Sequence, residues 1–106
     1  MRKAAVLGLF ALSALGSTQI GAADYQAAAS LERALPGATD TEIDGVKWHC
    51  TGEKCVGSMV GRRSVAGSRM DECRKVAAVI GRLASFSSRG KELTKRDLDT
   101  CNRSAR

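Results

Sequence analysis

Four cysteines in a chain of 106 residues constrain its fold more than any other feature of the sequence. They are Cys50, Cys55, Cys73 and Cys101. An even number of cysteines in a small exported protein is typical of a disulfide framework, because so short a chain buries too little apolar surface to be stable without cross-links. Two disulfides are predicted if the chain is exported. Three pairings are possible, and we favour Cys50 with Cys55 and Cys73 with Cys101.

A zinc site is the alternative use of these cysteines. Four thiolates can hold zinc, and His49 lies beside Cys50. However, the C-x4-C spacing followed by two isolated cysteines lacks the paired C-x-x-C of zinc sites, which is also the motif of redox enzymes. We therefore expect no metal and no cofactor. His49 is expected on a strand, facing solvent or a neighbouring side chain.

The N-terminus has the pattern of a secretory signal peptide over residues 1–23. The positively charged start, M-R-K, precedes an uncharged and mostly apolar run over residues 4–16. This run is shorter than the roughly 20 apolar residues that span a bilayer. Small residues then lead to an expected cleavage between Ala23 and Asp24; the alternative is a buried N-terminal helix. We expect a periplasmic or secreted protein with no transmembrane segment after cleavage.

Residues 24–106 are enough for a single small domain. The chain is 43% hydrophobic and 26% charged, which is typical of a globular protein rather than a disordered one. Its length excludes a nucleotide-binding α/β fold, a TIM barrel and a membrane bundle.

The segment directly after the expected cleavage site is predicted to be a helix over residues 24–35. Asp24 occupies an N-cap-like position, the following residues are mostly helix formers, and Pro36-Gly37 would end the helix. A segment so close to a cleavage site is alternatively extended, with residues 24–38 loose.

Residues 39–60 predict three short antiparallel strands, over residues 39–43, 46–50 and 55–60. Asp44-Gly45 is typical of a two-residue hairpin turn between the first two strands. A second turn, over residues 51–54, places Cys50 and Cys55 opposite each other, close enough for a disulfide.

The remaining chain predicts a helix from Ser68 to about Ile80, a strand over residues 83–87 and a helix from Thr94 to about Ser104. Ser68 and Thr94 are N-cap residues, and Gly81 suits the end of the first helix. Cys73 and Cys101 both fall on apolar helix faces, which favours their pairing. The sequence thus predicts one small, disulfide-stapled α+β domain, in which a short antiparallel meander precedes a helix, a strand and a C-terminal helix.

Charge divides the expected mature chain into two parts. Residues 24–53 carry two bases and six acids, whereas residues 54–106 carry 13 bases and five acids. The basic part favours an anionic envelope partner, such as lipid head groups or cell-wall polymer, or simply keeps a secreted protein soluble. Within it, Arg74 either binds an anion or pairs with Asp71 or Glu72. Nucleic acid is not expected, because the few aromatic residues do not alternate with basic ones.

A pattern within residues 46–106 resembles that of a known family. It comprises Trp48-x-Cys50-x-Gly52-x-x-Cys55, Cys73-Arg74, Gly81-x-Leu83-x-Ser85-Phe86 and Cys101-Asn102, with Gly90, Leu93 and Leu98 between them. It is similar to a family of small, signal-peptide-bearing alphaproteobacterial proteins of unknown function. The resemblance implies a periplasmic or secreted protein, and it supplies neither an activity nor catalytic residues.

The residues of this pattern have structural interpretations. Trp48 is large enough to anchor the core over a nearby disulfide, and Phe86 is expected in the same core. Gly52 suits a turn with positive φ, and Gly81 suits a helix C-terminus. Asn102 would tie down a loop or a cap with its side-chain amide, or alternatively contact a ligand.

Three functions remain compatible with the sequence. A non-catalytic binding or structural module of the cell envelope, whose partner is an anionic envelope component or another protein, is favoured because the sequence contains no catalytic motif. A secreted inhibitor or toxin acting on another protein is the second. A small hydrolase is the third, and it would need His49 as its base without the G-x-S-x-G context of known serine hydrolases.

Overall fold

The computed structural model describes residues 24–62 and 65–105, so the predicted signal peptide lies outside the described residues. The strands are β1 (Tyr25–Leu31), β2 (Thr39–Ile43), β3 (Val46–Thr51), β4 (Lys54–Met59), β5 (Leu83–Ser88) and β6 (Lys91–Glu92). The helices are α1 (Arg69–Ile80) and α2 (Lys95–Cys101), and a 3-10 turn, Asn102–Ser104, follows α2. The strands form one antiparallel sheet in the order β2-β3-β4-β1-β5-β6. The predicted small α+β domain with two disulfides is confirmed.

The predicted helix over residues 24–35 is wrong and the extended alternative is correct, because Tyr25–Leu31 form β1, in the interior of the sheet. β1 pairs with β4 on one side and with β5 on the other. Alternate residues from Tyr25 to Leu31 are buried, with the period of two that a strand requires. Pairing with two distant strands therefore overrides the helix propensity of an alanine-rich segment.

Local sequence signals place most other elements correctly. Asp44 and Gly45 both have positive φ, as a two-residue hairpin turn of the expected type requires. Ser68 caps α1 in a reciprocal capping box with Asp71. Thr94 caps α2, which ends three residues earlier than predicted because the 3-10 turn replaces its last turn. The two-residue strand β6 was not predicted.

The core lies between the sheet and the helices. Trp48, which is 2% exposed, packs face-on against the backbone of Gly57 on the neighbouring strand. Its ring also lies 6.2 Å from that of Phe86, centroid to centroid. A Cβ atom on Gly57 would come within 2.6 Å of the indole, so this close approach requires glycine. Trp48 and Phe86 are thus core residues, and the indole packs against Gly57 and Phe86.

Each of the two buried disulfides lies within one layer of the domain, one in the sheet and the other between the helices. Cys50 bonds to Cys55, directly opposite it on β3 and β4. Cys73 bonds to Cys101 and joins α1 to the end of α2. These are the pairs favoured by the sequence. In the described part of the chain, no helix is long and apolar enough to cross a membrane.

Candidate functional site

The sheet has two faces, and their side chains differ. The closed face is the one that packs against α1 and α2, and it carries the large core residues. We call the opposite one the open face. Its side chains are Gln26, Ala28, Ser30, Asp40, Glu42, Lys47, His49, Thr51, Lys54, Val56, Ser58, Ser85, Ser87 and Glu92.

A buried polar network lies on the closed face. Glu72 of α1 is buried, accepts a hydrogen bond from the Tyr25 hydroxyl and forms an ion pair with Arg89. Burial, followed by the hydrogen bond to Glu72 and the charge of its carboxylate, raises the pKa of Tyr25. The network ties α1 to β1 and to the turn after β5 at one end of the sheet, and its carboxylate is buried, which fits a role in stability.

Asn102 acts as a clamp between the last helix and β5. Its side-chain amide donates to the Leu83 carbonyl at 2.9 Å, and its side-chain oxygen accepts from the Leu83 N–H at 2.8 Å. Asn102 is itself buried. The residue ties down the start of a strand, and both ends of its amide are occupied by the protein.

Ion pairs bring the acidic and basic parts of the sequence together. Asp44 lies 2.8 Å from Lys75, and Glu32 lies 3.0 Å from Arg82, so each pair joins one part to the other. Arg74 lies 3.9 Å from Asp71 on its own helix. The charge separation along the sequence is therefore reduced in the folded domain, and part of the basic charge is paired internally.

The centre of the open face is built from small, uncharged side chains. Ala28 on β1 lies between Val56 on β4 and Ser87 on β5. Val56 is 58% exposed and is the large aliphatic side chain of this region. Because Ala28 is short, a shallow depression forms over it, bounded by Gln26 and Ser58. This region presents apolar surface and hydroxyl groups without any charge.

His49 lies at the side of this centre, in a chain of hydrogen bonds across the open face. Its Nδ1 lies 2.6 Å from an oxygen of Asp40 on β2, and its Nε2 lies 3.2 Å from the hydroxyl of Thr51. The carboxylate–imidazole–hydroxyl order is that of a nucleophilic triad. The side chains of His49 and Asp40 are 53% and 83% exposed, so water competes for both hydrogen bonds. His49 thus faces both solvent and neighbours, as expected.

Two structurally important residues were missed by the sequence analysis. Gly57 lacks any motif, and only the pairing of β3 with β4 reveals that Trp48 lies over it. Glu72 was placed only as a possible partner of Arg74, whereas it faces the core and binds Tyr25 and Arg89. A signal was present for Glu72, since it lies four residues before Val76, one turn away on the buried side of the helix. Gly52 has the positive φ expected of it, and Gly81 ends α1 as expected.

Comparison with known proteins gives a family but no activity. No curated protein and no solved structure matches the chain. The model of DUF8200, described as a family of unknown function, matches residues 7–103, which is most of the chain. The chain belongs to the DUF8200 family of unknown function.

Proposed function

We propose that this protein is an exported, non-catalytic binding domain of the cell envelope, which docks another protein through the centre of its open face. The observation that carries the proposal is the exposed, uncharged surface around Val56 and Ala28. A purely solvated sheet face is usually covered by long charged or polar side chains. Small side chains instead allow another surface to approach the backbone closely.

Export is supported by the cysteines. All four are joined in buried disulfides, and such bonds persist in oxidising compartments. The intact mass of the protein from its native compartment tests this part. We expect a chain that begins at Asp24 and is about 4 Da lighter before reduction than after it, from the loss of four hydrogens. A full-length chain with free thiols would contradict export.

A protein partner is favoured over an anionic polymer. The open-face centre is uncharged, and several of the bases that would attract a polyanion are paired with acids of the same chain. An uncharged centre with a charged periphery is the usual composition of protein–protein interfaces. The inhibitor or toxin alternative would use the same surface and differ only in the identity of the partner.

Paired variants test the proposed surface. Val56→Arg places a long charge in the centre of the open face, whereas Val79→Arg does so on the outer side of α1, where Val79 is 50% exposed. Wild-type protein and Val79→Arg should retain the same envelope protein in affinity capture, and Val56→Arg should lose it. Equal capture by all three, with folding verified by circular dichroism, would contradict the proposed surface.

A small hydrolase is the second candidate, because Asp40, His49 and Thr51 are hydrogen-bonded in the order of a triad. In such a reaction, Thr51 Oγ would bond to the acyl carbon as the ester C–O bond breaks, and His49 would pass the threonine proton to the leaving alcohol. Water would then attack the acyl carbon, give a proton to His49, and release the acid as the proton returns to Thr51. Its test is the hydrolysis of an activated ester by pure protein. Loss of turnover in both Thr51→Val and His49→Asn would establish it, and equal rates in both variants would exclude it.

A further inference from the structure

The exposed edge of β2 is a second surface, separate from the centre of the open face. β2 pairs only with β3 and forms one edge of the sheet. We propose that this edge binds an extended, basic polypeptide segment by strand addition. The inference goes beyond the proposed function, because the β2 edge and the centre of the open face are different surfaces, and different substitutions test them.

The register of the hairpin determines which amides point outwards. In a two-residue hairpin, the residues that flank the turn form a hydrogen-bonded pair, here Ile43 with Val46. Bonded and non-bonded pairs alternate along the ladder, so Thr41 also bonds to β3. The N–H and C=O groups of Asp40 and Glu42 therefore point away from the sheet. These two residues are two positions apart, which is the spacing at which an added strand presents its N–H and C=O groups for hydrogen bonding.

β2 lacks most of the devices that usually protect an edge strand. It contains no proline and no lysine, and its pairing with β3 has no bulge. Among the described residues, no backbone hydrogen bond from a loop reaches the outward groups of Asp40 or Glu42. The opposite edge of the sheet, β6, has only two residues and is too short to template a strand.

The charges on β2 select the partner. Pairing of β2 with a second copy of itself, antiparallel about Thr41, would set Asp40 opposite Glu42 twice, and parallel pairing would set like against like. Like charges directly opposite each other destabilise a sheet, so the edge opposes self-association. A segment that alternates basic and uncharged residues would instead place its bases beside Asp40 and Glu42. Main-chain hydrogen bonds would supply affinity, and the alternating charges would supply specificity.

The test uses the full folded domain and a blocked five-residue peptide of alternating lysine and valine. Two control peptides are matched to it, one with glutamate in place of lysine and one N-methylated along the edge that would bond to β2. We expect saturable binding of the lysine peptide, with slowed amide exchange at Asp40 and Glu42 in NMR spectra. The glutamate and N-methylated peptides should not bind. No binding of the lysine peptide, or equal binding of its N-methylated form, would overturn the proposal.

Two variants of Glu42 separate the backbone from the charge. Glu42→Pro removes an outward N–H without touching a hydrogen bond to β3, and it should reduce affinity more than tenfold. Glu42→Gln keeps the N–H and should reduce affinity about two- to fivefold. If the proline variant is folded and binds like wild type, strand addition is wrong. Val79→Arg, on the outer side of α1, should leave peptide binding unchanged. The peptide assay does not depend on capture of an envelope protein, so failure here and failure of the proposed function are distinguishable.

Discussion

The two faces of the sheet are built from the same six strands, yet the side chains of one are packed against helices and those of the other are exposed. On the closed face, Trp48 and Phe86 are enclosed by α1 and α2, and Glu72 links Tyr25 to Arg89. On the open face, Ala28 and the serines around it are short and neutral. We infer that the closed face supplies the stability of the domain and that the open face is free to serve binding.

The largest expected effect comes from removing the disulfide that joins the two helices covering the closed face. Replacing Cys73 and Cys101 with serine opens a loop with a sequence separation of 28 and should lower the free energy of unfolding by about 3.5 kcal/mol. Replacing Cys50 and Cys55, with a separation of 5, should cost about 2 kcal/mol. Urea denaturation measures both. Both disulfides lie on the side of the closed face, so the absence of a loss from either replacement would contradict the assignment of stability to that face.

The next test adds one methyl group to the tightly packed closed face, at Gly57. Gly57→Ala would bring its Cβ to within 2.6 Å of the indole of Trp48 and should cost about 1–3 kcal/mol. Because Trp48 is the one tryptophan of the chain, its fluorescence reports the displacement directly. Gly37→Ala is the matched control, since nothing lies within 4 Å of its added Cβ. Unchanged fluorescence in both variants would show that the indole does not pack on β4.

The buried network should make the domain sensitive to alkaline pH. The raised pKa of Tyr25 means that the folded state resists its ionisation more than the unfolded state does, where the pKa is about 10. The contribution of Tyr25 to the free energy of unfolding should therefore be constant below about pH 10 and fall as the pH rises beyond it. Tyr25 is the one tyrosine of the chain, so tyrosinate absorbance follows it alone. Ionisation at the same pH in native and urea-unfolded protein would place Tyr25 in solvent.

The smallest expected effect is on the open face. Val56→Ser exchanges an exposed aliphatic side chain for a smaller one without opening a cavity, so it should change the free energy of unfolding by less than about 0.5 kcal/mol. Urea denaturation of Val56→Ser and Gly57→Ala compares the two faces at adjacent positions of β4. A loss of several kcal/mol would mean that Val56 is covered in the folded protein, and the open face would then not be open.

Elements with local signals could be predicted from the sequence, whereas non-local pairing could not. The Asp44-Gly45 turn and the Ser68 capping box act within a few residues, so the hairpin and α1 follow from the sequence. β1 depends on β4 and β5, which lie far along the chain, and its alanines favour a helix when considered alone.

The candidate surfaces were harder to predict for the same reason. His49 was identified as a strand residue, but its contact with Asp40 depends on the register of β2 with β3. Ala28 and Val56 are unremarkable in sequence and become neighbours only when β1 lies beside β4. The sequence charge pattern also overstated the basic surface, because Asp44 and Glu32 return to pair with bases of the other part.

Site-specific photocrosslinking in living cells tests the central claim most directly. A photoreactive amino acid at position 28 lies at the centre of the open face, and the same group at position 79 lies on the outer side of α1. The account predicts one discrete crosslinked product, of the same mass in repeated experiments, from position 28 and none of that mass from position 79. The same product from both positions, or no product from position 28, would contradict the claim that the open face is the binding surface.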